Sequence, residues 1–131
     1  MNKLMQTLDE LIVSEFSNLI MRFTKLSIVL FFVTHWNACL FYAIGNSRAQ
    51  EEGNSWLLQV GCYDSSVQMK YVNALYWSFT TMMSVGYGDI RPTTTTEREV
   101  VMMCMILSSG VFAFIIGDIG KMVGSFNELA A

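Results

Sequence analysis

Apolar residues are concentrated in two long runs, one in each half of the chain. Residues 26–44 (LSIVLFFVTHWNACLFYAI) and residues 100–116 (VVMMCMILSSGVFAFII) contain no formally charged side chain. The hydrocarbon core of a bilayer is about 30 Å thick, and about 20 helical residues cross it. The first run therefore predicts a membrane-spanning helix over residues 26–45. The second predicts one over residues 97–124, because its apolar pattern continues beyond Gly117.

The segment before the first run has a different pattern. Between residues 4 and 23, apolar residues recur at three- and four-residue spacing, and acids and amides occupy the other face. This periodicity predicts an amphipathic helix over residues 1–25. Such a helix either lies in the membrane interface or packs against a partner helix, and the pattern fits both alternatives.

The connection between the two runs has three parts. Residues 46–66 are polar and interrupted by glycine, which predicts a loop. Residues 67–83 are apolar and aromatic but too few to cross a bilayer, so they predict a half-helix that enters the membrane and returns. Capping boxes at residues 65–68 (SSVQ) and 96–99 (TERE) predict the starts of the half-helix and of the second span.

The composition agrees with a membrane protein and argues against other classes. The 131 residues suffice for one domain, 53% of them are hydrophobic, and the net charge of −3 gives no reason to expect a nucleic-acid partner. Asp9, Glu10 and Glu15 interrupt the N-terminal segment, so no secretory signal peptide is predicted. The three cysteines show neither a disulfide framework nor metal-ligand spacing.

Two polar side chains, His35 and Asn37, lie within the first apolar run. Polar groups inside a membrane tend to face protein, and the main expectation is that both bond to a neighbouring helix. A direct role in handling ions is the alternative. His35 is the sole histidine, and no Ser or Cys nucleophile is placed to use it, so no enzyme is expected.

The glycine-containing stretch of residues 84–89 (SVGYGD) follows the predicted half-helix. Glycine adopts positive φ at little cost, so Gly86 and Gly88 allow successive peptide units to alternate in handedness. Alternation points the carbonyl groups of residues 84–87 to one side. One such strand is a row of dipoles without a partner, whereas four strands around an axis form oxygen cages that replace a cation's hydration shell. The negative C-terminal end of the half-helix points at the same cation.

These residues resemble known channel motifs. Residues 84–89 resemble the TVGYG filter of potassium channels, with Ser in place of the leading Thr. Residues 74–83 (ALYWSFTTMM) resemble the pore helix of those channels. Residues 35–39 (HWNAC) and 112–123 (FAFIIGDIGKMV) resemble the superfamily that carries a cytoplasmic cyclic-nucleotide-binding domain. That superfamily comprises the cyclic-nucleotide-gated, hyperpolarisation-activated, ether-à-go-go and plant inward-rectifier channels.

The resemblance implies an all-α membrane protein with two transmembrane helices and a re-entrant pore loop, assembled as a homotetramer. It divides the single pore domain, residues 1–131, into a linker helix (1–25), an outer helix (26–45), a turret (46–66), a pore helix (67–83), a filter (84–89) and an inner helix (97–124). K+ is the permeant ion, with no other cofactor. Partners are three further copies, membrane lipids, and a voltage sensor and cyclic-nucleotide-binding-like domain in a longer parent. The expected location is the plasma membrane, multi-pass, with both termini cytoplasmic.

The resemblance also implies roles for individual residues. Backbone carbonyls and the Ser84 hydroxyl bind K+ in a filter made of Ser84, Val85, Gly86, Tyr87 and Gly88. The filter is supported by Tyr76, Trp77, Thr80, Met83 and Asp89, where the Tyr87 ring packs on a cuff of Tyr76 and Trp77 that Asp89 also contacts. The cavity and inner gate are formed by Phe112, Ile116 and Ile119. Hinges of the inner helix are Gly110, Gly117 and Gly120.

Three departures from the potassium-channel pattern leave alternatives open. Ser84 replaces Thr, Met83 stands where many potassium channels carry Thr, and Thr80 stands where some place an acid. The predicted function is a tetrameric, potassium-selective pore, gated at the inner-helix bundle by a sensor or ligand domain outside this chain. The alternatives are a weakly selective K+/Na+ pore of the hyperpolarisation-activated type, a non-conducting two-span accessory subunit, and lipid-facing positions for Phe112 and Ile116.

Overall fold

The regular structure is all α-helix in the computed structural model, which describes residues 2–130. The helices are α1 (Asn2–Glu52), α2 (Trp56–Val60), α3 (Val67–Met82) and α4 (Thr95–Ala130). Two helical stretches, Asn2–Glu52 and Thr95–Ser125, are long and apolar enough to cross a membrane. The predicted all-helical class with two apolar spans is therefore confirmed.

The amphipathic and apolar segments of the N-terminal half form one continuous helix. α1 contains 51 residues, which corresponds to a length of about 77 Å at 1.5 Å per residue. The sole proline of the chain, Pro92, lies elsewhere, so no residue forces a break near position 25. The hydroxyls of Thr24 and Ser27 donate to the carbonyls four residues earlier, which satisfies them within the helix at the edge of the apolar run.

The loop predicted from residue 46 is wrong over its first part, because α1 continues to Glu52. The Arg48 guanidinium lies 2.6 Å from a Glu51 carboxylate oxygen and 2.9 Å from one of Glu52. Pairs three and four residues apart support a helix, since they lie on the same face. The hydrogen bond to Glu52 is the main reason that the pKa of Arg48 is raised. The end of α1 is therefore a charged helical turn in which the two acids are exposed and the arginine is largely covered.

α2 is a single short helix that the sequence analysis did not predict. Its first residue, Trp56, is fully buried, and its end is fixed by Gly61 at φ 82°. The Gly61 amide donates to the carbonyls of Leu57 and Leu58, which is a left-handed helix ending that favours glycine. α2 thereby holds Trp56 against α1.

The helix starts lie close to, but not at, the predicted capping boxes. α3 begins after Ser66, whose Oγ accepts the Met69 amide at 3.2 Å, whereas Ser65 was predicted as the cap. The two serines are chemically equivalent as caps, so the residue type alone does not choose between them.

The start of α4 was also predicted slightly late in the chain. Thr94 Oγ1 accepts the Glu97 amide at 3.2 Å, and the Glu97 carboxyl group reaches back to Thr93. The predicted pair of Thr96 and Glu99 was wrong. Several consecutive threonines offer a cap here, and Glu97 decides the position because it is the buried acid.

α1 is the helix against which both α3 and α4 pack. Polar bonds join the helices inside the apolar segment: Asn37 Nδ2 donates to Ser108 Oγ at 2.9 Å, and Ser78 Oγ donates to the Thr34 carbonyl at 2.8 Å. His35 Nδ1 lies 2.6 Å from the Tyr71 hydroxyl of α3. The expectation that His35 and Asn37 bond to neighbouring helices is confirmed.

An aromatic stack joins α2, α1 and α3. The Phe41 ring lies between Trp56, at a centroid distance of 4.4 Å, and Trp77, at 3.9 Å, with interplanar angles of 10° and 15°. Trp56 Nε1 also donates to the Phe41 carbonyl at 2.8 Å. Gly45 makes this approach possible, since a Cβ there would lie 2.6 Å from Trp56 Cδ1. α3 is thus fixed to α1 by flat ring contacts.

Candidate ion-binding site

The segment after α3 begins by folding back on the last turn of that helix. The Val85 and Gly86 amides both donate to the Thr80 carbonyl, at 2.8 and 3.2 Å, and the Ser84 amide donates to Thr81 at 3.3 Å. Within the described residues, no backbone amide donates to a carbonyl group of residues 84–88. The amides at the start of the segment are therefore occupied, while the carbonyl oxygens along it are free.

Backbone dihedrals alternate along this segment. Ser84 and Gly86 have φ of 61°, and Gly88 has φ of 77°. A positive φ at every second residue turns successive peptide units in alternate senses, as expected for Gly86 and Gly88. The positive φ of Ser84 was missed, because serine carries no sequence signal for this conformation. Such a conformation costs a non-glycine residue of order 1–3 kcal/mol and is typical of functional sites.

The side chains of the segment are open to the surroundings of the single chain. Tyr87 is 72% exposed and Val85 is 50% exposed, and every residue from 84 to 89 is exposed. Met83, at the C-terminal cap of α3, is also exposed. Within the described residues, no other element of the chain covers residues 84–89.

Three of the residues predicted to support the filter, Tyr76, Trp77 and Thr80, belong to α3. Tyr76 lies beside Asp89, and the pKa of Tyr76 is raised, first by hydrogen bonding of its hydroxyl to the Asp89 carboxylate and further by burial and by the charge of Asp89. Thr80 provides the carbonyl that the segment folds onto, and its own hydroxyl donates to the Trp77 carbonyl at 2.8 Å. Trp77 is buried, and its stacking partner in the chain is Phe41.

A cleft of about 720 Å³ lies behind the end of the segment. Tyr76, Gly88 and Asp89 contribute to one part of its wall, and Gln59, Asn73 and Arg91 contribute polar groups to another. The end of the segment thus borders a cleft with mixed polar and apolar walls, built from α2, α3 and the loop that leads to α4.

The predicted inner-helix residues lie along one side of α4 but differ in their exposure and contacts. Ile116 is 52% exposed, and Phe112 is half-buried. Ile119 packs with Ile115 and Met122 against Leu26 of α1. The helix is continuous over all three predicted hinge glycines, and a Cβ would meet no atom within 4 Å at any of them: Gly110, Gly117 and Gly120.

Side chains offer little for cation binding. In residues 2–130, no group of three or more His, Cys, Asp or Glu side chains is placed to hold a metal ion. The free carbonyl oxygens of residues 84–88 are uncharged ligands at the negative C-terminal end of α3, which favours a cation. Carbonyl oxygens of this kind are ligands that can replace part of a cation's hydration shell.

Comparison with known proteins gives a consistent set of relatives. Residues 2–131 match the family described as Ion transport protein. The chain is 34% identical over 102 residues to the potassium channel AKT2/3 of Arabidopsis thaliana, covering 77% of this chain and 12% of that protein. It is 35% identical over 104 residues to the potassium channel AKT1 of the same plant, covering 78% and 12%.

A mammalian relative is similar to the same extent. The chain is 35% identical over 105 residues to the voltage-gated inwardly rectifying potassium channel KCNH2 of Cavia porcellus, covering 70% of this chain but 8% of that protein. The chain thus spans a small part of the curated relatives it matches. These matches confirm the resemblance to the potassium channel superfamily, and a transport family also confirms the expectation that the chain is not an enzyme.

Proposed function

Because this chain belongs to the ion transport protein family, we propose that it is the pore-forming part of a tetrameric, potassium-selective channel. In this proposal, residues 84–88 of each copy bind the permeant K+ through backbone carbonyls and the Ser84 hydroxyl. The names of the relatives support K+ as the ion. Since the chain spans 12% of the AKT relatives, the activity of a whole channel is part of the proposal.

The observation that carries the proposal is the backbone of the segment after α3. Positive φ at Ser84, Gly86 and Gly88 alternates the peptide units, and the carbonyls of the segment have no backbone donor among residues 2–130. In a membrane-embedded pore loop, carbonyls without a donor need another partner. Carbonyl oxygens left free in this way are the ligands that replace the hydration shell of K+ in a filter.

Four copies follow from the same argument. A single strand supplies one side of an ion's coordination shell, and its exposed carbonyls have no partner in lipid. The exposure of Val85 and Tyr87 supports a position at a contact between copies. The tetramer then has two spans and one re-entrant pore loop in each copy, with the turret over residues 53–66, the pore helix in α3 and the inner helix in α4.

The gate is proposed at the inner end of α4. Ile116 is exposed and Phe112 is half-buried, and neither is among the residues that pack with Leu26 of α1, so we assign them to a cavity that they close by dewetting. Ile119 contacts α1 instead and supports this constriction from behind. Gly110, Gly117 and Gly120 are the proposed bending points, because the surrounding space is open.

We place this pore in a longer parent protein that carries a voltage sensor and a cyclic-nucleotide-binding-like domain. The greater length of the relatives and the voltage-gated description of the KCNH2 protein support this. The proposed location is the plasma membrane, with both ends of the segment cytoplasmic. The interfacial part of α1 then lies on the same side as the inner gate.

The experiment that tests the function is the reversal potential of the purified chain in a planar bilayer, with K+ on one side and Na+ on the other. A reversal potential close to the potassium equilibrium potential is expected. A robust current reversing near zero would establish the weakly selective alternative, which the substitution of Thr by Ser84 favours. A chain that neither conducts nor forms tetramers would overturn the channel and leave the accessory subunit.

A further inference from the structure

The Glu97 side chain is fully buried at the start of α4. It accepts hydrogen bonds from Thr93, four residues earlier, and from Trp56, which is distant in the sequence. One carboxyl oxygen accepts the Trp56 amide at 3.2 Å. The other accepts the Thr93 amide at 2.9 Å and lies 3.4 Å from the Thr93 hydroxyl. A helix cap alone requires only the local contact to Thr93, so the bond to Trp56 is additional.

Trp56 carries this contact onward to the helix that bears the filter. Its amide bonds to Glu97, its indole N–H donates to the Phe41 carbonyl, and its ring stacks on the Phe41 ring. The other face of Phe41 stacks on Trp77 of α3. A continuous series of buried contacts therefore links Glu97 to the pore helix.

Both ends of the filter segment consequently depend on the same carboxyl group. Trp77 precedes the segment in α3, and Thr93 follows it directly after Pro92. The first end is held through Trp56 and Phe41, and the second end is held by the Thr93 amide itself. The filter residues between them are exposed in the chain, and the amides of residues 84–86 bond to carbonyls of α3. Their position therefore depends on how α3 and the Thr93 end are held relative to each other.

We infer that Glu97 and Trp56 are positioning residues for the filter, which fix its two ends relative to each other and to α4. The inference rests on the proposed function. Loosening either contact allows the two ends of the segment to shift, and the carbonyl ligands then lose their spacing. In a conducting tetramer this appears as a faster decay of current during sustained opening and a lower K+/Na+ permeability ratio.

The test compares two acids in the first turns of α4. Glu97→Gln keeps the size of the side chain but turns one acceptor into an NH₂ group, which opposes the amide of Trp56 or Thr93. We expect the current to decay about tenfold faster in assembled tetramers, the order of effect that one lost buried hydrogen bond produces. Glu99→Gln is the matched control, because Glu99 is exposed on the same turn, and it should leave the decay unchanged.

A second variant covers the case in which Glu97→Gln does not assemble. Trp56→Phe keeps the backbone amide and a ring that stacks on Phe41, but removes the indole N–H that bonds to the Phe41 carbonyl. It should accelerate the decay less than Glu97→Gln while tetramers form normally. A role in helix capping alone leaves Trp56→Phe channels with unaltered decay and selectivity, because this variant does not touch the α4 cap.

The outcomes separate the inference from the function on which it rests. If the unmodified chain does not conduct, the proposed function fails. If it conducts selectively, and assembled Glu97→Gln or Trp56→Phe channels keep its decay rate and permeability ratio, the positioning role is overturned. Slowing of the faster decay by high external K+, which occupies the filter, would support the inference, since a shift elsewhere in the protein is not relieved by the permeant ion.

Discussion

The proposed filter segment differs from the aromatic junction in how completely its groups are paired and buried. The junction consists of Phe41, Trp56, Trp77 and the Glu97 carboxyl group. At the junction, Phe41 is enclosed by two tryptophan rings, and the Glu97 carboxyl group is fully bonded and buried. In the filter segment of residues 84–88, side chains are exposed and carbonyls lack backbone donors within the described residues. One chain therefore completes the junction by itself, whereas it leaves the segment open, as expected if the proposed tetramer and ion complete it.

This difference predicts that substitutions in the two regions act on different properties. Conformation in the filter segment is specified by the φ angles of individual residues, so changes there should abolish conduction with little effect on folding. The junction is specified by volume and hydrogen bonds, so changes there should lower stability first.

The largest expected effect is the loss of conduction in Gly86→Ala. Gly86 has φ of 61°, and a left-handed conformation costs an L-residue about 1–2 kcal/mol. Adopting a negative φ instead turns a carbonyl away from the ion path in every copy of a tetramer. Current in planar bilayers should disappear, while the tetramer fraction by size-exclusion chromatography stays unchanged.

Gly124→Ala is the control for this prediction. A Cβ at Gly124 meets no atom within 4 Å, and alanine is favoured in a helix interior, so conduction should persist. Normal K+ current in Gly86→Ala would remove the alternating backbone as the basis of the site.

The next effect is a loss of stability in Phe41→Ala. This change deletes a fully buried ring and both of its stacking contacts, and such truncations cost about 3–5 kcal/mol. The free energy of unfolding in mixed detergent micelles should fall by that amount. Phe32→Ala on the same helix is the control, because Phe32 is 62% exposed. Equal losses for both variants would mean that the junction is no more important than a lipid-facing position.

A smaller effect is expected for the polar bond between α1 and α4. Asn37 Nδ2 donates to Ser108 Oγ at 2.9 Å, and both residues are buried. Interhelical hydrogen bonds in membrane proteins contribute about 0.6 kcal/mol on average. A double-mutant cycle of Asn37→Ala and Ser108→Ala should give a coupling energy of about this size. A coupling indistinguishable from zero would show that α1 and α4 are held by apolar packing alone.

The sequence predicts the apolar helices and α3 well, for a physical reason. Long uncharged runs and a short aromatic run are local patterns. The short helix predicted over residues 67–83 is observed as Val67–Met82. The ability of Gly86 and Gly88 to adopt positive φ is likewise a property of the residue itself. Such features need no knowledge of the rest of the fold.

The features that the sequence does not predict depend on tertiary contacts. Glu97 looks like a solvated acid until Trp56, far away in the chain, is known to donate to it. α2 is too short to show a helical period, and its position depends on Trp56 reaching Phe41. The positive φ of Ser84 is set by the amides that fold back onto Thr80 and Thr81. These contacts form the support of the candidate site.

The smallest effect is expected for Tyr76. This residue precedes Trp77 of the junction in α3 and lies beside Asp89, which follows the proposed filter segment. The pKa of Tyr76 is raised above its ordinary value of 10.0, mainly by hydrogen bonding to Asp89. A raised pKa in the folded state means that this contact stabilises the fold fully below about pH 10, and that the contribution is lost as the pH rises through the raised pKa. Stability measured above pH 10 should therefore fall less steeply in Tyr76→Phe than in the unmodified chain. Identical slopes for Tyr76→Phe and the unmodified chain would mean that the contact between Tyr76 and Asp89 does not stabilise the fold.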